Sequence, residues 1–222
     1  MALTFYTHPF ASYCQKAVTA LYENGTPFTP RLLDQAEPEN FREFARLWPL
    51  QKFPLLVDDG RPVAEATIII EHLDLHHPGA RRMIPADPKA ALEVRFIDRF
   101  FDNYVQTPMQ AIVADAMRPA GERDAQGAAK ARAMLDTAYA WLEQHMQKRE
   151  WAAGAGKGDF GLADCAAAPA LFYADWSHRI GQDFPQVLAY RARLNARPSF
   201  ARAIEEARPF RHYFPLGAPE RD

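Results

Sequence analysis

Three short stretches carry residue types and spacings that could do chemistry. Ser12 follows the break Thr7-His8-Pro9 and opens a helical pattern. A helix N-terminus offers unpaired N–H groups and a positive dipole end, which suit an anion or a thiolate. The same serine would equally serve as a helix N-cap. Phe53-Pro54 stands at the mouth of an apolar run. A proline there removes one ladder donor and, if cis, forces a tight turn whose freed backbone groups can pair with an extended peptide. In trans it would be an ordinary edge-strand proline. Glu65-Ala66-Thr67 begins another helical pattern. It offers one carboxylate and free amides to a ligand with an α-amino and an α-carboxylate group, or else a simple first-turn acid favoured by the dipole.

Other candidates carry less. His72 and His76 have the i, i+4 spacing of a metal pair, but Glu71-His72-Leu73-Asp74-Leu75-His76 is not HExxH and shows no third ligand, so no metal is expected. Gly154, Gly156 and Gly158 follow a helix instead of a strand, which argues against a phosphate loop. Two cysteines, Cys14 and Cys165, cannot make a disulfide framework. Cys14 falls inside the first helix as a small buried residue, or as a mixed-disulfide site whose pKa the dipole would lower.

The elements that must position these residues fall into two groups. Leu3 to Tyr6 reads as a strand, followed by a helix from Ser12 to the Asn24-Gly25 stop, with Val18, Leu21 and Tyr22 on one face. Pro27 to Leu33 reads as a second strand. Pro38 to Leu47 reads as a short helix with Phe41, Phe44, Ala45 and Leu47 as its stripe. Leu55–Val57 and Pro62–Ala64 flank Asp58-Asp59-Gly60 as a hairpin, and Ala66 to His76 is a third helix with Ile68, Ile69 and Leu73 inward. After the proline-rich stretch Pro78 to Pro88 the pattern is helical. A run from Leu92 to Val113 keeps a 3–4 spacing, and Pro108 should kink it. Further helices are expected over 123–149, 162–180, 187–195 and 199–207, with an aromatic tail at Phe210, His212, Tyr213 and Phe214.

The chain has 222 residues, 26 Lys plus Arg against 28 Asp plus Glu, and 48% hydrophobic residues. That composition is globular, and the near-zero charge argues against a nucleic-acid partner. The opening MALTFYTHPF lacks a basic segment followed by a long apolar run, and no stretch has the length of a membrane span, so a cytoplasmic protein with no membrane partner is expected. Prolines number 18, and several punctuate the join between the two groups of elements.

Together the motifs Tyr6-Thr7-His8-Pro9-Phe10-Ala11-Ser12-Tyr13-Cys14, Lys52-Phe53-Pro54-Leu55-Leu56-Val57-Asp58-Asp59-Gly60 and Glu65-Ala66-Thr67-Ile68-Ile69-Ile70-Glu71-His72-Leu73 resemble the glutathione transferase superfamily, with some likeness to its zeta and theta classes. Leu162-Ala163-Asp164-Cys165-Ala166-Ala167-Ala168-Pro169 is similar to the start of that family's C-domain helix. The resemblance implies an α/β thioredoxin-like N-terminal domain (1–78), a linker (79–88) and an all-α helical-bundle C-terminal domain (89–222). It implies a homodimer with no permanently bound cofactor, taking glutathione as co-substrate and conjugating its thiolate to small hydrophobic electrophiles. A zeta-type glutathione-dependent isomerase and a non-catalytic glutathione-fold binding protein are the alternatives.

The resemblance also assigns roles. Pro54 matches the family's cis-proline, Phe53 would pair its backbone with the cysteinyl part of glutathione, and Lys52 would reach the glycine carboxylate. Glu65 and Ala66 match an acidic-plus-serine pair that holds the γ-glutamyl end, although Ala66 lacks the hydroxyl. Ala11 stands where a thioredoxin-type CxxC has its first cysteine and Cys14 where it has its second, which argues against disulfide chemistry. Ser12 is then the expected donor to the thiolate, with Tyr6 and Cys14 as alternatives and Tyr13 and His8 as weaker ones. Phe10, Tyr104, Met109 and Ile112 are the expected electrophile pocket. Asp164 is structural, and Gly161 replaces the Ser or Thr that usually completes its capping box.

Overall fold

A computed structural model describes residues 3–153 and 159–222; the glycines at 154, 156 and 158 lie outside them. Strand β1 (Leu3–Thr7) leads into α1 (Ser12–Glu23), β2 (Thr29–Leu32) and α2 (Pro38–Leu47), and then come β3 (Leu55–Asp58), β4 (Arg61–Ala64) and α3 (Ala66–His76). The sheet order is β2-β1-β3-β4. β1 runs parallel to β2 and antiparallel to β3, with Phe5 opposite both Pro30 and Leu56. The β3–β4 turn places Asp59 at φ 46° and Gly60 at φ 86°, the left-handed pair that a tight hairpin demands and that Asp-Gly supplies.

Alternation along the strands separates two apolar clusters. Leu3, Phe5 and Leu56 face the larger one with α1 and α3, while Tyr6 and Leu55 face the smaller one with Phe44 of α2 and Leu33. Burial on both faces is why these strands can be short. Of the expected stripe of α2, Phe44 is buried and Leu47 packs partly buried against the same cluster, while Phe41 is exposed.

Beyond residue 87 the described residues are helical or connecting: α4 (Pro88–Phe100), a π-helical turn (Phe101–Gln106), α5 (Thr107–Ala116), α6 (Ala125–Met146), α7 (Leu162–Ser177), α8 (Pro185–Ala196) and α9 (Pro198–Ala207). Short 3-10 turns cover Ala120–Glu122 and Arg208–Tyr213. The single kinked run expected around Pro108 is two α-helices joined by the π-helical turn. Pro108 has no N–H to donate back into the preceding turn, so it sits in the first turn of α5 and the wider turn ends before it. Phe101, Val105 and Met109 are buried, but Leu92, Phe96 and Tyr104, which belong to the expected apolar run, are exposed.

α1 packs against α7 and α9, tying the two halves together. Polar contacts finish the join: Glu23 accepts from Arg197 at 2.7 and 2.6 Å and from Ser199 at 2.5 Å. Asp164, buried at the start of α7, accepts from the backbone N–H groups of Ala152 (2.9 Å) and Gly161 (3.0 Å) and from the Tyr190 hydroxyl (2.5 Å). Gly161 therefore keeps one half of a capping box without a side chain. A Cβ there would come within 2.7 Å of the Met83 carbonyl oxygen, which instead accepts from Leu162 N–H. Close backbone approach explains the glycine.

Candidate active site

The starts of α1 and α3 converge on a cavity of about 1030 Å³, together with the loop ahead of β3. Ala11, not Ser12, holds the N-cap position of α1 and makes no side-chain cap bond. Its methyl group cannot accept, so the first-turn N–H groups stay available to whatever fills the cavity. Ser12 is the first helical residue. Its Oγ accepts from Nε2 of Gln106, a residue of the π-helical turn that is 1% exposed. The hydroxyl proton is left to a second partner.

At α3 the cap position is Glu65, again without a side-chain cap bond, at φ 72° and ψ 121°. A non-glycine residue with positive φ is strained, and such residues concentrate where a local conformation is used. Here the conformation turns Glu65, Ala66 and Thr67 onto the cavity wall. Lys52, Phe53 and Pro54 form the third side, and the Phe53–Pro54 peptide bond is cis. Lys52 and Phe53 are exposed there, whereas Pro54 is buried.

Beneath this wall lies a charged cluster that the motifs did not announce. Lys16, 1% exposed, places Nζ 2.6 Å from Asp98 Oδ1, 2.8 Å from Asp102 Oδ2 and 2.9 Å from Thr67 Oγ1. Thr67 donates in turn to Asp98 Oδ2 at 3.0 Å, and Arg99 reaches the same oxygen at 2.7 Å. α1, α3, α4 and the π-helical turn are thereby locked together just behind Ser12 and Ala66. Burial raises the Asp102 carboxyl above its usual range, against the pull of Lys16. Tyr13, on the cavity wall, is also held protonated, by burial first and by the charge of Asp102 second.

The remaining alternatives to Ser12 lie elsewhere. Tyr6 is buried against Phe44 with ring centroids 6.0 Å apart, on the α2 side of the sheet. Burial, and then a hydrogen bond with Glu43, pushes its hydroxyl up to about 12. Cys14 points away from the cavity toward His8, whose N–H donates to Sγ at 3.5 Å. Contrary to the lowered pKa expected from the helix dipole, burial pushes this thiol up to about 11, because desolvation outweighs its hydrogen bonds. His8 packs on Phe210 with centroids 4.8 Å apart, and burial lowers its pKa.

Of the four expected pocket residues, Phe10 and Met109 line the cavity. Tyr104 and Ile112 need correcting. Tyr104 is half-exposed beside Phe100, at a centroid distance of 5.6 Å, in the same every-fourth-residue row as the exposed Leu92 and Phe96, and Ile112 is buried in the core. Ile68, expected inward, is 51% exposed and faces the cavity. Asn103, Gln110 and Val113 complete the wall on the helical side, and the aromatic tail closes it. Phe214 packs 5.3 Å from Trp176 and 6.5 Å from Phe10, and Tyr213 lines the rim. Gln106 carried only one signal, a polar side chain two places before a proline within a helical run.

Comparison with known proteins adds independent findings. The family models described as Glutathione S-transferase, N-terminal domain, and Glutathione S-transferase, C-terminal domain, match residues 5–81 and 119–193. The chain is 31% identical over 179 residues to the probable glutathione S-transferase GSTU1 of Oryza sativa subsp. japonica, covering 78% of this chain and 73% of that protein. It is 25% identical to Protein LigF of Sphingobium sp., covering 94% of this chain and 95% of that one. A crystal structure of a glutathione S-transferase from Methylobacillus flagellatus KT with GSH bound superposes with a TM-score of 0.79 at 26% identity, covering 91% of this chain and 98% of that one.

Proposed function

Because the chain belongs to the glutathione S-transferase family, we propose that the cavity binds glutathione along the wall made by Lys52, Phe53, Pro54, Glu65 and Ala66, and that Ser12 stabilises its thiolate for attack on a small hydrophobic electrophile. The observation carrying this is the meeting of two helix N-termini and one free strand mouth around a single cavity. The γ-glutamyl carboxylate would take the α3 N-terminus and its amine the Glu65 carboxylate. The peptide's middle would pair with the Phe53 backbone, which brings the sulfur beside Ser12. Lys52 would answer the glycine carboxylate.

The chemistry asked of the protein is modest. A thiol of pKa about 8.5 is a few per cent ionised at neutral pH, and thiolate is the nucleophile. Lowering that pKa by about two units requires about 2.7 kcal/mol. One hydroxyl donor to an anion and a helix N-terminus together supply about that much. The sulfur then forms a bond to the electrophilic carbon as the leaving group departs. Phe10, Met109, Val113 and Phe214 give that electrophile an apolar seat.

A second reading has one observation behind it. Ala66 offers a backbone N–H but no hydroxyl, which suits a glutathione-binding protein with little turnover. Separate measurement of glutathione affinity and of turnover with a chloronitrobenzene divides the two. Binding with conjugation supports the transferase, binding alone supports the binding protein, and no binding refutes both. Leu92, Phe96, Tyr104 and Trp141 form an exposed apolar face across α4, the π-helical turn and α6, with Phe96 and Trp141 centroids 6.2 Å apart. It is the surface on which we place a homodimer contact. Among the described residues no helix is long and apolar enough to cross a membrane.

A further inference from the structure

The two histidines that sequence spacing pairs, His72 and His76, are not the two that meet a common partner. Asp58, the last residue of β3, faces the C-terminal half of α3 and the residue that follows it. Asp58 Oδ2 lies 2.8 Å from His72 Nε2 and 2.7 Å from His77 Nε2. All three side chains are mostly buried, with exposures of 14% for Asp58, 10% for His72 and 14% for His77. His77 is the C-cap of α3, at φ −131° and ψ 54°, and leaving the helix there lets its ring fold back toward Asp58. The His76 ring stacks beside that of His72 with centroids 4.5 Å apart.

We propose that Asp58, His72 and His77 bind one divalent transition-metal ion of the zinc type. Three ligand atoms of the right chemistry lie within 4.8 Å of one another. Ligands about 2.1 Å from a tetrahedral ion stand about 3.4 Å apart, so each oxygen–nitrogen separation must open by about 0.6 Å. A rotation of the Asp58 carboxylate about its own bond is of that size. Two imidazoles and one carboxylate select zinc, cobalt or nickel over calcium or magnesium, which call for oxygen donors. Water takes the fourth position.

None of these three residues lines the glutathione cavity, whose wall on this element is Glu65 to Ile68 at the start of α3, with Glu71 further along. The ion would act as a staple between the β3–β4 turn and the C-terminal end of α3. Its bound state adds to stability and leaves the chemistry at Ser12 untouched, so the proposal stands or falls independently of glutathione turnover.

Cobalt(II) titration of the untagged chain without glutathione tests it. One cobalt per chain is expected, with the visible absorption of a four-coordinate ion, and zinc should displace it. Zinc at about a hundredfold excess over its Kd should raise Tm by about 5 °C. His72→Gln and His77→Gln retain an amide able to hydrogen-bond Asp58. Each should keep the metal-free circular dichroism spectrum and lose the cobalt band and the zinc-induced rise, whereas His76→Gln keeps both. Absence of cobalt uptake by the unaltered chain overturns the proposal. So does loss of binding in His76→Gln with retention in His77→Gln, which would make the helical pair the ligands.

Discussion

Replacing Ser12 by alanine removes the hydroxyl and leaves the α1 N-terminus in place. Gln106 Nε2 already occupies one lone pair of the serine oxygen, so the hydroxyl proton is free to point at a sulfur in the cavity. A hydrogen bond to a charged acceptor contributes about 1.5–3 kcal/mol. At about 1.4 kcal/mol per unit, losing it raises the pKa of the bound thiol by about 1–2 units. The helix dipole persists in the variant and continues to favour the anion. Ultraviolet absorbance of the thiolate, followed against pH with glutathione saturating, reads that shift directly. Below the wild-type pKa, kcat/KM with a chloronitrobenzene should fall by about 10–100-fold, and the gap should close once pH exceeds the raised value. Ser12→Thr keeps the hydroxyl and should retain most of the activity. An unchanged pH profile in Ser12→Ala would refute the reasoning and return the role to backbone N–H groups alone.

Two further substitutions probe what holds the site. Lys16→Met leaves Asp98 and Asp102 buried with only the half-exposed Arg99 between them, and should destabilise the fold by about 3–5 kcal/mol in urea titrations at neutral pH. Because burial already raises the Asp102 carboxyl, the deficit should shrink as pH falls and that group takes up a proton. Gly161→Ser restores a cap hydroxyl yet drives its Cβ to 2.7 Å from the Met83 carbonyl, so Tm should fall by about 2–4 °C instead of rising.

Elements were legible where local chemistry decides them. The Asp59-Gly60 hairpin and the Asn24-Gly25 stop after α1 follow from φ preferences that act within a few residues, and the helices expected from Val187 and Ser199 begin one or two residues earlier, at Pro185 and Pro198. The three stretches around Ser12, Phe53 and Glu65 were legible too, since their types and order mark helix starts and a strand mouth. Periodicity misled at Phe41 and Ile68, which are exposed, and along the run from Leu92 to Val113, which continues past Pro108 as though the helix were uniform. There a π-helical turn ends just before α5, with Tyr104 exposed and Gln106 buried.

The sequence by itself determined the two groups of elements, the family and the short motifs that border the cavity, because these depend on neighbours along the chain. Only the tertiary structure decided which groups face one another across long separations. It set Gln106 on Ser12, 94 residues away, and buried Lys16 between Asp98 and Asp102, the latter 86 residues downstream. It also paired Asp58 with His77 instead of leaving His72 to His76. The same burial that completes the core withdraws Cys14 and Tyr6 from chemistry, through desolvation that no residue spacing encodes.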